Sequence, residues 1–279
     1  MSAALERARH HVDRVTMLVN RMRIRGTAAC GDNRARTMMK IRPHWRSLLL
    51  AALGLTSLIP LAQAASPPPA RVPDTIEQRV AACIACHGRE GASTNAGYFP
   101  RLAGKPEGYL YNQLLSFRDG RRFNSDMVHM VRHLSDAYLR EIAQYFAGLE
   151  LPYPAVSARS DASAQSLARG KALAFQGDAA RGIPACAQCH GQALTGVAPA
   201  IPSLLGLPRL YLASQLGDWL NNGRHALPPD CMAEVGRKLN AEDINAVASW
   251  LAVQPVPADP KPAAAPPGPL PMPCSAMGS

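Results

Sequence analysis

Apolar residues recur at helical spacing in short runs, and loops rich in Gly, Pro, Ser and Asn separate them. Ile76, Val80 and Ile84 follow one another at i, i+4 after Asp74, which has Glu77 three residues on. That is a capping-box-like start, and it predicts a short helix running into Cys83-Ile84-Ala85-Cys86-His87. Residues 88–106 predict loop. A stripe of Tyr109, Leu110, Gln113, Leu114 and Phe117 then predicts a helix over about 106–118. A loop carrying Met127 and Met130 leads to a helix capped by Ser135, with Leu139, Ile142, Ala143 and Phe146 inward and an end near Gly148. Two prolines in Leu151–Pro154 break the pattern, and the periodicity throughout is that of an all-α chain.

The second half repeats the first. A helix is predicted over about 162–175, followed by a Gly-rich turn and Cys186-Ala187-Gln188-Cys189-His190, the same five-residue frame 103 positions on. Ile201-Pro202-Ser203-Leu204-Leu205-Gly206 answers Phe99 to Gly104, and Tyr211-Leu212 with Gln215-Leu216 answers Tyr109-Leu110 with Gln113-Leu114. A last helix starts at Asn240 with Asp243 at its third position and turns Ile244, Val247, Ala248 and Leu251 inward. Ordered recurrence of this kind predicts duplication: one domain over 73–150, a linker over 151–161 and a second domain over 162–253. Residues 254–279 are Pro- and Ala-rich and predict a disordered tail.

The N-terminal region changes the meaning of the charge. Leu48 to Leu61 is an apolar run behind Lys40, Arg42 and Arg46 and ahead of Ala62-Gln63-Ala64, which predicts a signal peptide over 39–64 and export to the periplasm. Residues 1–38 read as an over-extended upstream start, and 65–72 as a flexible tether. The formal net charge is +10, but residues 1–46 hold 11 of the 30 Lys and Arg and 3 of the 20 Asp and Glu. The remainder is near neutral, so the basic pI is no argument for a nucleic-acid partner. Cysteine usage suits export: four of the 7 Cys lie in the repeated frames, and Cys231 and Cys274 are available to pair as an exported disulfide.

Each C-x-x-C-H frame reads as a covalent haem site. Cys83 and Cys86, and likewise Cys186 and Cys189, form thioethers with the vinyl groups, and His87 and His190 ligate iron. A zinc ribbon needs no histidine directly after each second cysteine, and a redox dithiol expects a βαβ setting that is missing. The sixth ligand decides function, because methionine gives an electron carrier and an open position allows substrate chemistry. Met127, Met130, His129 and His133 are the candidates in the first half. Met127 and Met232 are the methionines that stand at equivalent places in both halves.

The tandem frames, the Phe-Pro-Arg-Leu-Ala-Gly loop, Gly-Asp-Ala-Ala-Arg-Gly-Ile-Pro-Ala-Cys before the second frame and Leu-Ser-Asp before the third helix together resemble the cytochrome c4 family over residues 73–252. The resemblance implies two class I cytochrome c domains with two haem c groups. It also implies axial Met127 and Met232, counted back from Leu134 and Leu239, and the carbonyls of Pro100 and Pro202 as hydrogen-bond acceptors for the histidines. The implied function is single-electron transfer between respiratory-chain components, such as a membrane-bound reductase and a terminal oxidase, with peripheral membrane association compatible with that task. A cytochrome subunit of a periplasmic dehydrogenase and a di-haem peroxidase or thiosulfate dehydrogenase are the alternatives. A Cys231 thiolate, or His129 or His133 in place of methionine, would favour the last. Arg118, Arg121, Arg122 and Arg224 flank the ligand loops as candidate partners of the haem propionates.

Overall fold

The structure, a computed structural model, describes residues 72–93, 98–153 and 160–277. The expected upstream extension, the export signal, all of the tether but Val72, and residues 154–159 of the linker lie outside these. Among the described residues the secondary structure is helical, and strand-like pairing is confined to isolated bridges. The first half carries α1 (Ile76–Arg79), α2 (Ala81–His87), α3 (Glu107–Arg118), α4 (Ser125–Val131) and α5 (Asp136–Ala147). The second carries α6 (Ala164–Phe175), α7 (Cys186–His190), α8 (Arg209–Leu220), α9 (Cys231–Gly236) and α10 (Ala241–Leu251).

Helix starts follow local side-chain chemistry. Ser135 Oγ accepts from the Tyr138 amide at 3.3 Å, and Asn240 and Asp243 exchange bonds at the head of α10, satisfying amides that have no partner within the helix. The first cap falls one residue later than expected. Asp74 turns to the Arg79 guanidinium at 2.7 Å, and Thr75 caps α1 instead. The stretch expected as a loop carrying Met127 and Met130 holds the short helix α4, and its second-half counterpart is α9; Asn124 and Asp230 start them, their side chains accepting from the amides of Met127 and Ala233 at 3.0 Å.

Each half buries its own apolar stripe. Val80, Leu110, Ile142, Ala143 and Phe146 close around α3 and α5, with Phe117, Val131 and Leu139 beside them. Leu173, Leu212, Ile244, Val247 and Leu251 close around α6, α8 and α10. Each fully buried side chain of this kind, such as Leu139 or Phe146, contributes roughly 1.5–3 kcal/mol. α6 meets α10 so closely at Gly170 that a Cβ there would lie 2.3 Å from the Ala246 carbonyl oxygen, which only glycine permits. Among the described residues no helix is long and apolar enough to cross a membrane.

The tail departs from expectation. Instead of being disordered, residues 254–277 are laid back over the second half. Ala263 N donates to Gly196 O at 2.9 Å, Ala198 N donates to Ala263 O at 2.9 Å, and Ser275 N donates to Pro229 O at 3.0 Å. Lys261 Nζ reaches Glu150 in the first half at 2.7 Å, and Cys274 is disulfide-bonded to Cys231. The composition lacks a helical core-forming face, so these tethers hold the segment, helped by single contacts such as Val256 against the second core. Its prolines also leave little backbone entropy to lose on ordering.

Candidate haem centres

In both halves a short helix ends on the frame histidine, and a glycine turns the chain away. Gly88 (φ 79°) and Gly191 (φ 81°) take up the left-handed backbone that this reversal requires. Ser93 N and Gly196 N then bond back to the His87 and His190 carbonyls at 2.8 and 2.9 Å. The loop returns so that His87 Nδ1 donates to Pro100 O at 2.9 Å and His190 Nδ1 donates to Pro202 O at 2.8 Å. Placing the proton on Nδ1 leaves Nε2 with its lone pair, the form that ligates metal, and fixes the ring's direction. Both rings are 7% exposed, and burial holds both below the ordinary histidine range, which favours the neutral form.

The four frame thiols are free. Burial pushes Cys186 up to about 11 and raises Cys83 and Cys189 as well, the opposite of the activated thiolate that a redox dithiol needs. The two frames belong to separate cores, so they do not converge as the knuckles of one zinc ribbon.

Met127 is half-buried on α4 against Phe117, Val131 and Leu139. Met232, the second residue of α9, lines a cavity with Cys186, Cys189, His190 and Pro202. The competing groups are elsewhere. His129 and His133 are exposed, Met130 is 42% exposed rather than packed inward, and the Cys231 sulfur is tied up in its disulfide.

The arginines separate into two kinds. Arg118 pairs on the surface with Asp119 at 2.9 Å and Asp136 at 2.6 Å. Arg122 and Arg224, equivalent in the repeat, face each other across an antiparallel bridge between the halves and are 8% and 4% exposed. Arg122 donates to Gln113 at 3.0 Å and to Gln215 at 2.5 Å; Arg224 donates to the same pair at 2.7 and 2.6 Å. Lys105, 6% exposed, adds a third cation whose charge burial opposes. Among the described residues no carboxylate forms an ion pair with any of the three. Buried cations without an ion-paired carboxylate are costly, and an anionic group at this interface would offset that cost. Arg121 Nε and Trp219 Nε1 are buried without a hydrogen-bond partner, and both residues line the same cavity as Lys105 and His190. An apolar cavity with a histidine on one wall, a methionine in its lining, adjacent thiols and stray donors at one margin fits a haem with its carboxylates. Sequence reasoning named Arg122 and Arg224 but missed Lys105, Gln113 and Gln215 as their companions. The signal available was that both glutamines repeat at an offset of 102.

Comparison with known proteins agrees with this geometry. No family model matches the chain. It is 37% identical over 220 residues to the "thiosulfate dehydrogenase electron acceptor" of Thiomonas intermedia, covering 78% of this chain and 95% of that one. It is 36% identical over 205 residues to cytochrome c4 of Pseudomonas aeruginosa, covering 73% and 94%. The chain belongs to the cytochrome c4 family. Among solved structures, reduced cytochrome c4 of Pseudomonas stutzeri superposes with a TM-score of 0.54 at 33% identity, covering 63% of this chain and 95% of that one. A thiosulfate dehydrogenase (TsdBA) of Marichromatium purpuratum superposes at 0.56 and 34%, where this chain spans 37% of the other's length. As a cytochrome c4 homologue the protein is a di-haem c-type electron carrier of tandem helical domains, and it works with redox partners.

Proposed function

We propose that Cys83 and Cys86 hold one haem and Cys186 and Cys189 the other, with His87 and Met127, and His190 and Met232, as the axial pairs. The observation that carries this reading is the matched pair of buried histidines, each with Nδ1 bound to a proline carbonyl at the equivalent place in its half. The bound group supplies a one-electron iron couple. The chain does the rest. Pro100 and Pro202 hold the imidazoles neutral and oriented in both oxidation states. Thioether sulfur from methionine favours the reduced state and keeps the site closed to substrate. The apolar walls exclude water, and Arg122, Arg224 and Lys105 at the seam between the halves would supply positive charge to haem carboxylates. No proton or chemical group has to move, so no acid–base pair is required.

The carrier works in the periplasm after export, taking electrons from one redox protein and giving them singly to another such as a terminal oxidase. A second reading makes the donor a thiosulfate-oxidising dehydrogenase, favoured by the likeness to proteins named as electron acceptors of that enzyme. Mixing the oxidised protein with a thiosulfate dehydrogenase plus thiosulfate, and separately with a quinol-oxidising membrane complex, tests both. Fast reduction of both haems in the first mixture alone assigns the dehydrogenase as donor, and in the second alone it assigns the respiratory chain. Slow reduction in both, with turnover of thiosulfate or peroxide by the isolated protein, overturns the carrier role.

A further inference from the structure

The ligand-side helix of the second half is clamped from outside. Cys231 is the residue immediately before Met232, and its disulfide to Cys274 closes a chain separation of 43 residues, with the Cα atoms 5.0 Å apart. Around that bond, Ser275 N donates to Pro229 O at 3.0 Å, and Met272, Cys274 and Ala276 line the cavity that also presents His190 and Met232. The strap is held further back by Ala263, which bonds Gly196 and Ala198 a few residues beyond His190. One segment therefore touches the histidine side and the methionine side of the same site. In the first half the corresponding helix has Ser125 and Asp126 ahead of Met127, with no cysteine, and Phe123 and Met130 beside it are 76% and 42% exposed.

We propose that the Cys231–Cys274 bond and the strap it anchors are a positioning device for Met232, which keeps that thioether on the second iron and shuts external ligands out. This rests on Met232 being an axial ligand. A helix of six residues has little stability of its own, so α9 is the natural place for local opening. A ligand carried on it leaves the iron whenever it opens. Bridging the residue next to that ligand to a segment lodged in the cavity removes the open conformations, as loop closure by a disulfide does for an unfolded chain. α4 has the Asn124 cap, the bond from Asn124 Nδ2 to the Tyr98 hydroxyl and core packing, and among the described residues no disulfide reaches it.

The test uses carbon monoxide uptake by the haem-loaded ferrous protein, with ascorbate keeping iron reduced and the disulfide intact. Tris(carboxyethyl)phosphine opens the bridge in the wild-type chain in a parallel sample, with thiol counting to confirm it, and a Cys231→Ser/Cys274→Ser double variant repeats the comparison with ascorbate but no phosphine. Site signals are assigned from Met127→Ala and Met232→Ala. Opening the bridge is expected to speed uptake at the second haem by about tenfold or more, and, in the double variant oxidised with ferricyanide, to weaken its ferric methionine band, with the first haem unchanged. An unchanged rate at the second haem, or an equal rise at both, overturns the proposal. If Met232→Ala itself leaves the second band and uptake unaltered, the ligand assignment fails instead.

Discussion

The two halves share an attachment frame, a proline-carbonyl anchor and a capped ligand helix, and they part at what covers that helix. The first leaves Phe123 and Met130 open to solvent, whereas the second is overlaid by a tethered tail. They part again beneath the surface. Asp243 of the second half is 3% exposed and accepts from Arg169 at 2.9 Å and Arg181 at 2.7 Å, while the acid that opens the matching helix in the first, Asp136, lies on the surface with Arg118. Duplication has kept the frames and the histidine anchors proposed to hold the metal. The supports around them have been free to diverge, and on the proposed ligand set the second centre would be braced and the first more accessible.

Removing the sixth ligand should have the largest effect. Met127→Ala and Met232→Ala should each abolish one methionine–ferric band and lower the potential of that site by on the order of 100 mV or more, read by spectroelectrochemical titration. If one substitution removes both bands, the halves are not independent centres. Next come the paired arginines. Arg122→Met or Arg224→Met should cost the haem-loaded protein about 3 kcal/mol in guanidinium unfolding, and nearly equally, because each donates to the same two glutamines. Clearly unequal losses would show that the seam is less symmetric than its hydrogen bonds.

A smaller, pH-dependent difference should set the halves apart. Burial raises the Asp243 carboxyl, but hydrogen bonds from Arg181, Arg169 and the Asn240 amide outweigh it and hold the group below its usual range. A carboxylate depressed in the folded state adds stability above its unfolded value near 3.9. That stability is lost as pH falls through the lower folded value. The second half should therefore weaken in acid through this site, and Asp243→Asn should remove about 2 kcal/mol at neutral pH and flatten the acid slope. Unfolding curves followed at each haem over a pH series check this. Smallest of all, Ser135→Ala should cost the first half about 1 kcal/mol through the lost cap, seen as a shift in denaturant midpoint.

Much of this was legible from sequence because it was written in periodicity or in fixed spacing. The stripe Leu139, Ile142, Ala143 and Phe146 is buried as its spacing required, and the Asn240–Asp243 capping box is present. α4 was read as a loop because seven residues are too few to display a helical period, and the six residues of α9 drew no helix for the same reason. Only Asn124 and Asp230, both good cap residues, marked their starts. The tail was misread for a different reason. Its composition rightly denies it a core, but order there comes from a salt link and a few backbone bonds that leave no pattern in local sequence, together with the Cys231–Cys274 disulfide, a pairing the cysteine count offered without its consequence for the tail. The buried role of Lys105 was equally hidden, since it depends on which surfaces of two halves are pressed together.

That seam also couples what is bound to how the halves hold together. Among the described residues no carboxylate forms an ion pair with Lys105, Arg122 or Arg224, and three like charges in a dry seam oppose the contact that Gln113, Gln215 and Tyr211 make through their oxygens. Carboxylates brought by a bound haem would offset that repulsion, so the firmness of the seam is expected to rise with loading.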